Sequence, residues 1–174
     1  MATYTIRTFG DPVLRLRARE VTDLDGSLAR VVDTMIDTMY AAVGGGLAAP
    51  QVGIQQRFFT YVGDDDEPDV LINPEIVEAS GEMPYEEGCL SFPDLRFEII
   101  RPRLVTVRGL DLDGNEVVFE AGDDYFGRML QHEIDHLDGV LAIDRVDPDA
   151  RKAILREIRR RETLAAVPGA DASR

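Results

Sequence analysis

The stretch Gln131-His132-Glu133-Ile134-Asp135-His136-Leu137 contains both histidines of this 174-residue chain, four positions apart. On a helix, residues at this spacing share one face with their Cβ atoms roughly 5–6 Å apart, so both imidazoles can reach one metal ion. Glu133 is placed to contact a water bound to such a metal, whose pKa falls to about 7, and to move its proton. The stretch therefore predicts a helix that carries a hydrolytic metal site, with Glu133 as general acid/base.

A catalytic metal usually takes three protein ligands and keeps one position open, so one ligand is still missing. One possibility is a carboxylate downstream, as in HExxH metallopeptidases, and Asp144, Asp147 and Glu157 are the candidates. The other possibility is Cys89, the only cysteine, which could equally be an inert buried side chain or a nucleophile paired with histidine. The residues by themselves leave this choice open.

Two further segments carry recognisable patterns. Gly44-Gly45-Gly46-Leu47-Ala48-Ala49-Pro50-Gln51 could be only a helix stop and a loop, and it is no phosphate loop because no Gly-Lys-Ser/Thr follows. Together with Glu87-Gly88-Cys89-Leu90-Ser91 and Gln131–Leu137, it resembles the peptide deformylase family, whose GxGLAAPQ, EGCLS and QHExDHL motifs occur in this order. The resemblance extends to Gly10–Arg15 and spans most of the chain.

This resemblance implies that Cys89, His132 and His136 are the metal ligands and that Glu133 is the general acid/base. The implied reaction removes the formyl group from N-formyl-methionyl peptides and releases formate, through attack of a metal-held hydroxide on the formyl carbonyl. The family's usual metal is Fe(II), which zinc, nickel or cobalt can replace, and the sequence does not choose among them.

The resemblance also implies how the substrate is held. The backbone N–H of Leu90 and the side-chain amide of Gln51 would stabilise the oxyanion. Gly44 and Gly46 would let the loop lie close to a substrate that binds as an added β-strand. The family often has a branched aliphatic residue where this chain has Gly45, so the missing side chain could widen the methionine pocket or loosen the loop.

Two residues are candidates for the methionine pocket itself. Met129 lies three residues before His132 and shares its helix face, and Tyr85 lies just before the predicted strand Glu87–Ser91. Both could instead be ordinary core residues.

Two alternative functions remain at this point. The first is an HExxH metallopeptidase with a downstream carboxylate ligand. The second is a catalytically silent homologue that holds a structural metal or binds peptides. Intact Glu133 and Gln51 speak against the second, because a protein that only binds has no need of a general base.

Strands clustered between helices, without βαβ alternation, predict an α+β fold. The resemblance implies antiparallel sheets packed around the helix that carries HExxH, with helices near both ends of the chain. Residues 1–174 are interpreted as one domain, of which about 163–174 form a frayed tail, and the acidic tract 64–69 as a solvated loop. The predicted helices cover 27–43, about 123–136 and 148–162, and the predicted strands cover 57–62, 70–73, 75–79, 103–108 and 116–120.

The composition of the chain limits the kinds of partner and compartment that we expect for it. A single cysteine excludes an internal disulfide, and no run approaches the ~20 apolar residues of a membrane span. The N-terminus lacks a signal-peptide pattern, so we expect a cytoplasmic protein. The net charge of −14 disfavours broad binding to nucleic acid or anionic membranes.

The predicted C-terminal helix has a net positive charge, opposite in sign to that of the whole chain. Residues 150–162 carry six basic and two acidic side chains. Because the C-terminal helix of some deformylases docks on the ribosome, this segment could bind ribosomal RNA. Its arginines could instead pair with the protein's own acidic surface.

Overall fold

The computed structural model describes residues 2–63, 66–122 and 124–165. Their helices are α1 (Gly26–Ala41), α2 (Tyr125–Leu137) and α3 (Pro148–Ala165), with short 3₁₀ helices at Pro12–Arg15, Ala49–Val52 and Ala142–Asp144. Their strands are β1 (Gly46–Ala48), β2 (Phe58–Val62), β3 (Pro68–Ser80), β4 (Met83–Gly88), β5 (Arg96–Arg101), β6 (Leu104–Leu110) and β7 (Glu116–Ala121).

All strand ladders within these ranges are antiparallel. One sheet has the order β1-β2-β3-β6-β7, and β4 pairs with β5 in a separate ladder. This arrangement confirms the predicted α+β class.

The central helix α2 is almost completely enclosed. Every residue from Gly127 to Leu137 is buried, whereas the first two residues of the helix are more exposed. Adjacent residues of β2 point to opposite faces of the sheet, so Phe59 packs in the cluster that contains α2 and Phe58 packs in the cluster that contains α1. The predicted helix that carries HExxH therefore lies against one face of the main sheet.

The helix ends follow side-chain caps. Asp25 accepts hydrogen bonds from the first turn of α1, Asp124 accepts one from the Gly127 N–H at 2.8 Å, and Asp147 accepts from the first turn of α3. Helix α1 ends two residues earlier than predicted. The predicted start of α2 at Asp123 lies outside the described residues.

The tail and the acidic loop differ in part from the prediction. Helix α3 continues to Ala165, so residues 163–165 of the predicted frayed tail are helical, and residues 166–174 lie outside the described part of the chain. Strand β3 begins at Pro68, inside the predicted loop 64–69. Residues 64 and 65 of that loop lie outside the described part of the chain.

Strand β3 corrects the prediction of two separate strands at 70–73 and 75–79. The ladder with β6 shifts register between Ile72 and Glu75, so Pro74, which has no N–H, falls where the ladder is already interrupted. Asn73 adopts a left-handed backbone with φ of 50° at this point. Its side chain exchanges two 2.9 Å hydrogen bonds with the backbone of Val21, which offsets the cost of that conformation.

Strands β1 and β5 were missed entirely, and β4 was missed except for Glu87 and Gly88. The predicted strand Glu87–Ser91 is wrong beyond Gly88, where the β4–β5 ladder ends. Cys89, Leu90 and Ser91 therefore lie in a loop, which carries them from the end of β4 toward α2.

A third apolar cluster lies beneath α3. It contains Leu14, Phe92 and Phe97, and α3 packs Ile154, Leu155 and Ile158 against it. No helix in the described ranges combines the length and apolarity that crossing a membrane requires.

Candidate metal centre and active site

Three side chains from two elements meet at one point. Cys89 in the loop after β4 and His132 and His136 on α2 each offer one ligand atom, and these atoms lie within 4.8 Å of one another. The Cys89 Sγ lies 3.3 Å from the His136 Nε2. One sulfur and two imidazole nitrogens at these distances are a donor set that suits a divalent transition metal with an open position.

The charge around the histidines also suits a cation. Burial lowers the pKa of His136 well below its ordinary value, so the ring is neutral. Burial also acts to lower the pKa of His132, but Cys89 and Glu87 outweigh it and raise that pKa well above the ordinary value. Cys89 and Glu87 thus place negative charge beside His132, which suits a positive ion between the three side chains.

Glu87 orients the first histidine. Its Oε2 lies 2.9 Å from the His132 Nδ1, which leaves the Nε2 of His132 for the side of Cys89. Although burial by itself raises the pKa of Glu87, hydrogen bonds from His132 and Arg101 hold it at about 2. Glu87 is therefore a fixed negative charge behind the candidate metal ligands.

Arg101 connects this carboxylate to α2, the helix that carries both histidines. Its guanidinium donates to Glu87 at 2.6 Å and to Asp135 at 2.7 Å, and all three residues are buried. Arg128 adds a 3.2 Å contact to the same carboxylate. The sequence analysis missed this network: Glu87 and Asp135 lie inside the quoted motifs, but no local pattern marks Arg101 as their common partner.

Glu133 lies beside the donor cluster in an enclosed position. It is 4% exposed, and its Oε2 has no hydrogen-bond partner among the described residues. Burial raises its pKa to about 7, close to the value at which one carboxyl group can both accept and deliver a proton. Gly46 is the reason that Glu133 fits, since a Cβ on Gly46 would lie 2.6 Å from the Glu133 Oε1.

Two N–H donors lie next to Cys89. Gln51 is 1% exposed, and its Oε1 accepts the Ala48 N–H at 2.8 Å. Its Nε2 is thereby directed to the Ser91 hydroxyl at 3.1 Å and to the Cys89 Sγ at 3.9 Å. The Leu90 N–H, directly after Cys89, has no hydrogen-bond partner in the described part of the chain.

The predicted substrate residues line one cleft. A cavity of about 670 Å³ is bordered by Gly44, Gly46, Tyr85 and Met129, together with the cysteine, one histidine and Glu133. Tyr85 is 45% exposed, whereas Met129 is 4% exposed and packs in the core beside α2. Met129 therefore both lines the cleft and belongs to the core.

The three downstream carboxylates have other partners. Asp144 pairs with Arg15 and accepts the Leu141 N–H, Asp147 caps α3, and Glu157 pairs with two arginines of α3. Within the described ranges the cluster of possible metal ligands contains Cys89 and no downstream carboxylate. The metallopeptidase alternative thus lacks its third ligand.

Comparison with known proteins agrees with this geometry. The family model described as polypeptide deformylase matches residues 3–152. A peptide deformylase of Thermotoga neapolitana is 53% identical over 156 residues, which are 88% of this chain and 93% of that protein. One of Parafrankia sp. is 48% identical over 163 residues, 93% of this chain and 88% of that protein.

Solved structures give the same result. The crystal structure of a peptide deformylase from Legionella pneumophila superposes with a TM-score of 0.87 at 39% identity, covering 96% of this chain and all of that one. The enzyme from Ehrlichia chaffeensis in complex with actinonin gives 0.86 at 36% identity, over 93% and 99% of the two chains. With the motifs, the fold and the cysteine–histidine cluster in agreement, the chain belongs to the polypeptide deformylase family.

Proposed function

We propose that Cys89, His132 and His136 hold the divalent metal with which this chain removes the formyl group from newly synthesised polypeptides. The observation that carries this assignment is the convergence of their three ligand atoms within 4.8 Å, next to a buried carboxylate. A divalent ion there supplies Lewis acidity, which polarises a carbonyl and makes water more acidic.

Glu133 handles the proton in this proposal. Its carboxylate accepts a proton from the attacking water and returns it to the leaving amine nitrogen as the C–N bond of the formamide breaks. Formate and a free N-terminus are the products. A pKa of about 7 suits both halves of this exchange.

Gln51 and Leu90 act on the carbonyl oxygen. Negative charge grows on this oxygen as water adds to the formyl carbon, and the Gln51 Nε2 and the Leu90 N–H donate hydrogen bonds to it. Both donors are held in place before the reaction, Gln51 by its contacts to Ala48 and Ser91. Donors fixed in this way stabilise the transition state without reorganising.

The peptide chain of the substrate lies along β1. This strand pairs with β2 on one side only, and Gly44 and Gly46 border the cleft on the other. A substrate strand can add to this open edge, as in other β-augmented complexes. Tyr85 and Met129 then contact the methionine side chain. We also expect actinonin, which is bound in the relative from Ehrlichia chaffeensis, to bind in this cleft.

Metal content of two variants tests the ligand set. Cys89→Ala should lose its metal after reconstitution and dialysis, because two imidazoles remain where three ligands are needed. Asp144→Asn is the matched control, since its carboxylate pairs with Arg15 and should leave one metal per chain. The opposite pattern, with metal kept in Cys89→Ala and lost in Asp144→Asn, would contradict the assignment. It would favour a metallopeptidase with Asp144 as the third ligand.

We propose Fe(II) as the working metal, although zinc, nickel and cobalt suit the same donors. Both iron and the Cys89 thiolate can oxidise, so the iron form should lose activity in air, and catalase or reductant should slow the loss. The nickel form should keep its activity. Equal stability of both forms in air would count against iron.

A second proposal concerns a partner of α3 in the cytoplasm, where polypeptides are made. Lys152, Arg151, Arg160 and Arg161 contact acidic groups of the chain itself. Arg156 and Arg159 are exposed and have no acidic partner among the described residues. We propose that these two arginines contact ribosomal RNA.

Charge reversal tests this docking better than truncation, because removing α3 would uncover the cluster of Leu14, Phe92 and Phe97. The double variant Arg156→Glu/Arg159→Glu should keep turnover of a short formyl peptide. It should also co-sediment less with ribosomes, and the wild-type binding should weaken with added salt. Unchanged co-sedimentation would reject the docking role and leave α3 as a structural element.

A further inference from the structure

Three backbone hydrogen bonds connect the N-terminal segment, residues 5–18, to the three motifs of the candidate site. Each bond runs from an N–H of this segment to the carbonyl at the last residue of one motif: Arg7 to Gln51 at 2.6 Å, Phe9 to Ser91 at 2.9 Å and Ala18 to Leu137 at 2.8 Å. One segment that contributes no ligand atom and no proposed donor therefore contacts all three motifs.

The bond from Arg7 satisfies the backbone of the proposed oxyanion donor. Gln51 is 1% exposed, and among the described residues its carbonyl accepts no backbone hydrogen bond other than that from Arg7. A buried carbonyl is costly to leave unpaired, so this bond holds the Gln51 backbone to the N-terminal segment. The Arg7 side chain lies against the same turn, since a Cβ on Gly53 would lie 3.3 Å from its Nε and Nη2.

The bond from Phe9 acts on the loop that carries the cysteine. The Phe9 ring stacks on the ring of Phe92 with the centroids 5.0 Å apart, and the Phe92 N–H donates to the Cys89 carbonyl at 2.9 Å. Ser91 is fully buried, and its hydroxyl lies 3.1 Å from the Gln51 Nε2. The N-terminal segment therefore holds both Gln51 and the loop toward which its amide is directed.

The bond from Ala18 fixes the segment to α2. Ala18 is buried in the apolar cluster that contains α2, and Leu137 directly follows His136. Between the two ends of the segment, Leu14 is buried in the cluster that contains Phe92. Because the segment is anchored on α2, it relates the position of Gln51 to the position of the histidines.

We propose that the N-terminal segment is a positioning element of the active site, and that the Arg7 N–H is the group through which it places the Gln51 amide. The inference rests on the role of Gln51 proposed above. A donor to an oxyanion stabilises the transition state only where it is aimed before the reaction. A loosened Gln51 should therefore slow the chemical step without weakening the binding of the peptide.

Two substitutions at position 7 separate the N–H from the side chain, because Arg7→Pro removes the N–H and Arg7→Ala keeps it. With formyl-Met-Ala-Ser, kcat of Arg7→Pro should fall by about tenfold or more, since complete loss of an oxyanion donor costs ~10²–10³-fold. Its KM, its metal content and its binding of the product Met-Ala-Ser, measured by calorimetry, should stay unchanged. Arg7→Ala should stay near the wild-type kcat.

Thr5→Pro is the matched control for the proline itself. Thr5 is exposed in the same segment, and its N–H has no hydrogen-bond partner in the part of the chain that the structure describes. Its substitution should leave kcat unchanged. Phe9→Ala is a second variant without a proline: it keeps every N–H but removes the ring stacked on Phe92, and it should lower kcat in the same direction as Arg7→Pro.

A double variant distinguishes positioning from a general loss of stability. In Gln51→Met the donor is already absent, so adding Arg7→Pro should lower kcat no further. Losses that multiply in Arg7→Pro/Gln51→Met would overturn the proposal, because they would show that Arg7 does not act through Gln51.

Amide hydrogen exchange in the zinc-loaded wild-type protein tests the bond without any substitution. The Arg7 amide should exchange at least about tenfold more slowly than the Thr5 amide. Equal exchange at both positions, or equal kcat in Arg7→Pro and Arg7→Ala, would overturn the positioning role and leave the deformylase assignment intact. A wild-type protein that releases no formate would contradict the proposed function itself, whatever the exchange rates are.

Discussion

At the residue scale, the buried Glu133 packs against a neighbour that has no side chain. The Gly46 backbone lies so near that an added Cβ would stand 2.6 Å from the Glu133 Oε1 and 3.0 Å from its Cγ and Cδ. Glu133 is also buried, so it has little room to relax. The position of the Glu133 carboxylate is therefore set from the edge strand β1.

Gly46→Ala should displace Glu133 while the metal ligands stay in place. Because a misplacement of about 1 Å can cost ~10²-fold, we expect kcat/KM for a formyl peptide to fall by about that factor with metal content unchanged. Gly26→Ala is the control, since its Cβ would meet only the tip of Arg30 at 3.8 Å. Full activity in Gly46→Ala would show that Glu133 has more freedom than its packing indicates.

The sequence predicts well which candidate site residues lie close together, but not the residues that contact and position them. Histidine spacing and the quoted motifs are local, and Cys89, His132, His136 and Glu133 meet as expected. Gly45 is different, because a Cβ there would lie 2.5 Å from the hydroxyl oxygen of Tyr125, which comes from a distant part of the chain. The missing side chain therefore does not leave an open space, contrary to the expectation that it could widen the pocket. A contact of this kind becomes visible only once the fold brings the two segments together.

Among elements, β4, β5 and α2 are joined by buried charge. Arg101 at the end of β5 contacts Glu87 on β4 and Asp135 on α2, and Arg145 provides a further contact to Asp135. Removing one member of such a group leaves buried charge unpaired, which is strongly destabilising. The network therefore fixes the β4 loop, with Cys89, against the histidine helix.

Arg101→Met should lower the free energy of unfolding by about 3 kcal/mol, and it should weaken metal affinity by roughly 10- to 100-fold because Glu87 no longer holds His132 firmly. Urea unfolding and metal competition measure the two effects. Arg108→Met is the matched control, since its pair with Glu75 is exposed to solvent and should contribute little to stability. Equal losses of stability and metal affinity in both variants would show that the buried network contributes no more than an exposed ion pair.

The missed strands show why a hydropathy pattern does not predict every strand of this fold. Strand β4 is exposed at most positions and contains Pro84, so it shows no apolar alternation. Strand β5 does alternate, but it buries Arg101 and exposes Ile100, which hides its inner face from a hydropathy pattern. Strand β1 has three residues and exists only because β2 lies beside it. The missed strands are those that border the site or support it.

For the whole molecule, a metal held by Cys89, His132 and His136 would tie the loop after β4 to the helix that packs on the main sheet. Three apolar clusters hold the remaining structure together without it. A ligand that binds only the folded state at 100 times its Kd adds about 2.7 kcal/mol of stability. Metal binding should therefore stabilise a chain that is already folded.

Reconstitution with metal should raise Tm by about 5–10 °C over the chelated protein, given 2–4 °C per kcal/mol for a chain of this size. Scanning calorimetry of both forms measures the shift. Cys89→Ala should show no metal-dependent shift, since its ligand set is incomplete. Unfolding of the wild-type chain on chelation alone would contradict the view that the apolar clusters sustain the fold.

The most direct test of the account is formate release from formyl-Met-Ala-Ser by metal-reconstituted wild-type protein and Glu133→Gln, with metal content measured on the same samples. Glutamine keeps the shape of the side chain but cannot exchange the proton. We expect one metal per chain in both proteins, turnover in the wild type, and a rate lower by at least about 10²-fold in the variant. No formate from the wild type would leave a catalytically silent homologue, and a variant within about tenfold of the wild type would contradict the role of Glu133.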